Sequence, residues 1–163
     1  MQKKTGADAV IPPAGVEVAD WTMVLMNRIM ALTSDAANER VQKFGFNIKG
    51  VRVLIALMMH GAMRVGDLGE AVALDTSTLS HLLRRLQRSG YVDRNRFEND
   101  NRSVEVKLTT KGRATAKVCY RVNSQIESVL LRGFAKGEID LLRQQLLRMC
   151  DNAEQALPLQ KAD

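Results

Sequence analysis

The sequence predicts a mainly α-helical fold, α+β at its centre, in which a single β-hairpin interrupts a series of helices. Three observations predict it. Apolar residues recur at three- and four-residue steps through most of the 163 residues, the spacing of a helix with one buried face. A two-residue alternation, the strand signature, is clear at 103–108, where Val104, Val106 and Leu108 face opposite to Ser103, Glu105 and Lys107. Gly45, Gly61, Gly90 and Gly133 punctuate the chain where one periodic segment gives way to the next.

The elements follow in order. Residues 1–15, with Pro12, Pro13 and Gly15, read as a flexible N-terminal arm. The first helix opens near Val16 or Val18, and Trp21, Val24, Leu25, Ile29, Leu32 and Ala36 mark its expected buried stripe. Asn47 has the side chain to cap a second helix carrying Ile48, Val51, Leu54, Ile55 and Met58. Arg64-Val65 reads as a short extended piece before a brief helix with Leu68, Ala71 and Val72. Asp75 is placed to cap the next helix, whose Leu79, Leu82, Leu83 and Leu86 sit at i, i+3, i+4 and i+7, and Gly90 stops it.

Tyr91 to Arg96 and Ser103 to Leu108 read as two strands joined by the polar FENDN loop. Thr109 or Thr110 then caps a long helix with Val118, Val122, Ile126, Val129 and Leu130 inside. After a break bracketed by Gly133 and Gly137, the last helix carries Ile139, Leu142, Leu146, Met149 and Ala153, a heptad-type seam.

The formal net charge of +6 is local. Met1 to Asp75 holds 8 basic and 8 acidic residues, Thr76 to Arg113 holds 9 against 4, and Ala114 to Asp163 holds 7 against 6. A basic patch concentrated on a helix and a hairpin is what DNA phosphates select. Aromatic content of 4% argues against stacking of single-stranded bases. Charges interrupt every apolar run before it reaches membrane-spanning length, and the N-terminus lacks the apolar core of a secretory signal. Cys119 and Cys150 stand 31 residues apart with no histidine nearby, so neither a zinc site nor a disulfide framework is expected, and a reducing cytoplasm is the expected location. No Ser-His-Asp group, phosphate loop or dinucleotide fingerprint is present, so an enzyme is not expected, and no cofactor or metal either.

The helix from Thr76 to Ser89 has two faces. Its leucines anchor it, while Ser77, His81, Arg84 and Arg88 run along the opposite side with Thr76, Thr78, Ser80 and Arg85 around them. A helix in a major groove needs short hydroxyls near its N-terminus, where the backbone comes closest to the bases. It needs long arginines further on for guanine edges or phosphates. A solvated surface helix is the bland alternative, but such helices mix signs, and no acidic residue occurs from Thr76 to Tyr91. In the hairpin, Arg94, Arg96, Asn101 and Arg102 are candidate DNA contacts, an arginine at the tip being suited to a minor groove. Asp100 either orients Arg102 or closes the turn.

A helix-turn-helix followed by a basic β-hairpin is a winged helix. The segment VGDLGEAVALDTSTLSHLLRRLQRSGYVDR and the wing NDNRSVEVKLTTKGRA, with Asp100–x–Arg102 and Leu108–Thr109–x–x–Gly112, resemble the MarR family of bacterial transcriptional regulators. The resemblance extends over essentially the whole chain. It implies a homodimer whose terminal helices intertwine, recognition helices in successive major grooves and wings in the minor groove. It further implies a regulator, a repressor in the reading adopted here, that holds a pseudo-palindromic operator and is released by a small aromatic or phenolic ligand, or in some members by cysteine oxidation. Departures are Arg64 in place of a Thr or Ser cap, Gly69 for Ala, Gly50-Val51 for a Gln-aromatic pair, and no cysteine near the N-terminal helix.

On this reading residues 16–46 and 113–163 form the dimerisation helices around a winged helix at 47–112. Val18, Val129, Ile139, Leu142, Leu146 and Met149 are the expected interface, and Trp21, Leu25, Arg28, Ile55 and Met59 the candidate ligand site. Methionines make adaptable pocket walls and equally good core. Trp21 and Arg28 can stack on and pair with an aromatic carboxylate. Cys119 and Cys150 are either inert thiols or redox sensors. A protein-interaction module without an operator and a ligand-independent DNA binder stay open as alternatives.

Overall fold

The computed structural model describes Gly15, residues 17–97 and residues 100–156; the side chains of 96–103 lie outside that description. The chain divides into two compact units, Met1–Asn123 and Ser124–Asp163.

In the first unit a 3-10 turn at Val18–Asp20 leads into α1 (Thr22–Val41), and a second 3-10 turn, Gln42–Phe44, leads to α2 (Ile48–His60). Gly45 closes that second turn at φ 77°, a left-handed conformation that glycine adopts without steric cost. Asn47 caps α2, its side chain accepting the amide of Lys49 at 3.1 Å. After β1 (Met63–Arg64) come α3 (Val65–Val72) and α4 (Thr76–Arg88). The wing is β2 (Val92–Phe97) and β3 (Asp100–Leu108), and α5 (Thr110–Leu130) follows.

The three strands form one antiparallel sheet in the order β1-β3-β2, with Met63 opposite Val106 and Arg94 opposite Val106 from the other side. Leu54, Leu57, Leu68, Leu79, Leu83 and Leu86 are buried at the centre of the helices, and Val92, Val106, Ala116 and Cys119 extend that core to the sheet and α5. At roughly 25 cal/mol per Å² of apolar surface removed from water, this shared cluster holds the helix-turn-helix against its wing.

The second unit holds the end of α5 and α6 (Lys136–Ala156). Arg143 and Glu127 approach to 3.6 Å, an exposed pair of small energetic weight. No residue of α6 is buried.

Four sequence expectations need correction. The stripe assigned to α1 is not buried: Trp21, Leu25, Ile29 and Leu32 are exposed, and burial in α1 falls on Ala37 and Val41. Among the described residues of the first unit nothing covers the N-terminal part of that face. At the far end of α5, Val129 and Leu130 are likewise exposed rather than inside. The wing strands reach further than expected, to Phe97 and back from Asp100, so the FENDN loop is mostly strand. Gly137 lies inside α6 rather than at a break, whereas Gly133, at φ 88°, does mark the turn.

Candidate DNA interface

The candidate interface is built on α4. The Asp75 carboxylate accepts the amide of Thr78 at 2.8 Å, which satisfies an orphan donor of the first turn. Hydrogen bonding from Thr78, first its hydroxyl and then its amide, holds the Asp75 carboxyl below the usual carboxylate range. Leu79, Leu82, Leu83 and Leu86 are all buried, as the spacing predicts. The helix ends with the amide of Tyr91 on the carbonyl of Leu86 at 2.9 Å, across Gly90 at φ 72°.

That anchorage presents Thr76, Ser77, His81, Arg84, Arg85 and Arg88 to solvent, with Thr78 and Ser80 half-buried at the margin. Among the described residues no carboxylate pairs with Arg84, Arg85 or Arg88. The Nε of Arg84 donates to the Ser80 carbonyl at 3.3 Å, a bond within its own helix. Arg85 is held differently, its Nη2 donating to the carbonyl of Gly45 at 2.7 Å.

In the wing, Arg94 is half-buried, and its Nε is shielded from solvent without a hydrogen-bond partner among the described residues. Arg96 lies opposite Val104 in the β2–β3 register. The side chains of Arg96, Asn101 and Arg102 lie outside the described residues, as does that of Asp100.

The wing is fixed to its neighbours at one junction. Thr109 Oγ1 donates to the Gly90 carbonyl at 2.7 Å and accepts the amide of Gly112 at 2.9 Å, capping α5. Lys111 donates to the Ser89 carbonyl at 2.8 Å and lies 4.6 Å from the centre of the Tyr91 ring. Tyr91 in turn donates its hydroxyl to the Phe44 carbonyl at 3.2 Å. Sequence reading missed this set, because the side chains of Thr109, Lys111 and Tyr91 donate to backbone carbonyls 19 to 47 residues away.

The remaining candidates are spread over other elements. Trp21, at the N-cap of α1, and Leu25 and Arg28 on that helix are exposed, Ile55 is half-buried on α2 and Met59 is exposed near its end. Val18, Val129, Leu142 and Leu146 are exposed, whereas Ile139 and Met149 are half-buried. Burial pushes the Cys119 thiol up to about 11; Cys150 is exposed. Among the described residues no group of His, Cys, Asp and Glu has the makings of a metal site. No described helix is long and apolar enough to cross a membrane.

A sequence model of the MarR family matches residues 46–104, the stretch from the end of the Phe44–Phe46 turn through α4 and into β3. The HTH-type transcriptional regulator SarZ of Staphylococcus saprophyticus is 33% identical over 86 residues, which cover 53% of this chain and 59% of that protein. The match thus spans little more than half the length of this relative. Among solved structures, a MarR-family transcriptional regulator from Silicibacter pomeroyi is 26% identical with a TM-score of 0.73, over 87% of this chain and 93% of that one. A mutant MarR from E. coli complexed with operator DNA is 25% identical with a TM-score of 0.67, over 77% and 90% respectively. The capped α4, the three-stranded winged sheet, the flanking helices and these relatives converge: the chain has the winged-helix fold of MarR-family structures, and residues 46–104 carry that family's sequence pattern.

Proposed function

We propose that the protein is a transcriptional regulator, a repressor, that binds a pseudo-palindromic operator in duplex DNA as a homodimer. The observation that carries this reading is the one-sided α4, with four leucines buried, Ser77, His81, Arg84 and Arg88 facing solvent, and no acidic residue within the helix. Inserted in a major groove, Ser77 and Thr78 approach base edges and Arg84 reaches a guanine edge or a phosphate. The wing, with Arg94, Arg96, Asn101 and Arg102, flanks the groove. The E. coli relative solved with operator DNA supports this assignment.

Homodimer formation is supported by the apolar surface left open on α1 and, separately, on α6. Two copies would set two α4 helices about 34–36 Å apart, one turn of DNA, and occupancy of such a site blocks transcription. Release by an aromatic or phenolic ligand is part of the same proposal, with Trp21, Leu25, Arg28, Ile55 and Met59 as its receiving residues. Such a regulator works in the cytoplasm, where its DNA is.

A gel-shift with DNA from upstream of the protein's own coding region tests the assigned roles. Arg84→Ala and Arg102→Ala should both weaken binding, and binding should fall steeply with salt as phosphates release counterions. Equal binding by all three proteins, or none that responds to salt, contradicts the reading and favours a protein-interaction module.

A further inference from the structure

We propose that Arg85 and Tyr91 are positioning residues that latch the DNA-reading helix to the turn between α1 and α2. Arg85 then acts through the protein rather than by touching a phosphate. The inference rests on the DNA-binding reading of α4 and deepens it.

Two successive carbonyls of that turn are taken by side chains from around the α4 terminus. Gly45 receives the Arg85 guanidinium at 2.7 Å, and Phe44 receives the Tyr91 hydroxyl at 3.2 Å. The turn is itself stiff. Gly45 is left-handed at φ 77°, and the Phe44 and Phe46 rings stack at 5.8 Å. The Phe46 ring meets Tyr91 edge to face at 5.5 Å, and both residues are buried. On the far side, the Asn38 side chain of α1 accepts the amide of Ile48, the first residue of α2, at 2.8 Å.

The turn is the covalent route from α1 to the helix-turn-helix. Asn38 ties it to α1, while Arg85 and Tyr91 tie it to both ends of the α4–β2 junction. A charge-assisted bond from a guanidinium is among the stronger hydrogen bonds available, and its planar fork fixes direction as well as distance. The latch therefore sets the attitude of α4 relative to α1, whose open apolar face is proposed to meet a second copy. Among the described residues Arg84, one residue earlier, bonds only within its own helix, through Nε, which leaves its two terminal nitrogens for DNA.

Two measurements on the full chain test this. In DNA-free protein, hydrogen exchange of amides in 42–49 should speed up several-fold in Arg85→Ala and in Tyr91→Phe, and not in Arg84→Ala. Unchanged exchange in Arg85→Ala overturns the latch whether or not the protein binds DNA. With duplex DNA, Arg84→Ala should flatten the slope of log affinity against log salt by about 0.9, the loss of one phosphate contact.

Arg85→Ala should weaken binding several-fold while keeping the wild-type slope. It should also discriminate less against a site with one base pair inserted between its half-sites. A flattened slope in Arg85→Ala identifies Arg85 as a phosphate contact and overturns the proposal. Wild-type affinity and spacing preference in that variant overturn it too. Salt-independent or absent DNA binding by the wild type defeats the operator reading instead, and leaves the exchange result to decide whether the latch exists.

Discussion

A Cβ placed on Gly112 would run into the carbonyl oxygen of Tyr91. That carbonyl already accepts the amide of Thr109 at 3.1 Å, a bond that its retreat would stretch. Two effects compete in Gly112→Ala. Alanine in a helix is worth about 1 kcal/mol over glycine. Forcing a methyl group into backbone costs about 1–3 kcal/mol, and here it meets an atom that cannot rotate away. The clash wins, and Gly112→Ala should lose about 2 kcal/mol or more in urea unfolding. Equal or greater stability would show that the α5–Tyr91 junction is looser than described.

Cys119 is wholly buried with its thiol pushed up to about 11 from 9.0 by desolvation. The thiolate is the reactive form, so the folded protein should resist alkylation at Cys119 at neutral pH, while Cys150 reacts. Hydroperoxide should leave the DNA affinity of wild type and Cys119→Ser in the same ratio as before treatment. Because folding raises this pKa, its contribution is whole below about pH 9 and is lost as pH rises toward about 11. Rapid modification of native Cys119 would revive a redox role for it.

Leu142 and Leu146 are 37% and 39% exposed on a helix with no buried residue, which is costly unless a second chain covers them. If α6 helps form the proposed dimer, Leu142→Glu together with Leu146→Glu should leave a monomer in light scattering and abolish tight operator binding. A variant that stays dimeric removes this face from the interface.

Trp21 and Arg28 are seven residues apart on the exposed part of α1. If they receive an aromatic carboxylate, aromatic acids that release the DNA should raise the thermal midpoint by mass action. Trp21→Ala and Arg28→Ala should each lose that rise while keeping operator affinity. A rise that persists in both variants places the ligand elsewhere.

Much of the fold was legible because local rules and burial agree where an element packs against its neighbours in sequence. Asp75 caps α4, its four leucines are buried, and Gly90 ends it, all readable from spacing. The apolar pattern of α1 was equally clear but misread as internal. Periodicity reports that a face wants cover, not which chain supplies it, and Trp21, Leu25 and Ile29 are open in the single chain. Arg85 shows the other limit. On a helical wheel it flanks Arg84, yet the carbonyl that takes it lies 40 residues away on a turn whose shape depends on Gly45.

Two copies of the chain are proposed to read an inverted repeat. Selection from a random duplex library, followed by titration of the winning site in rising salt, tests it most directly. An inverted repeat with half-sites one helical turn apart, bound by two chains, should be enriched. Affinity should fall about a thousandfold or more between roughly 50 and 200 mM salt if six or more phosphates are held. Enrichment of no sequence, or of a single non-repeated site held by one chain, would contradict it.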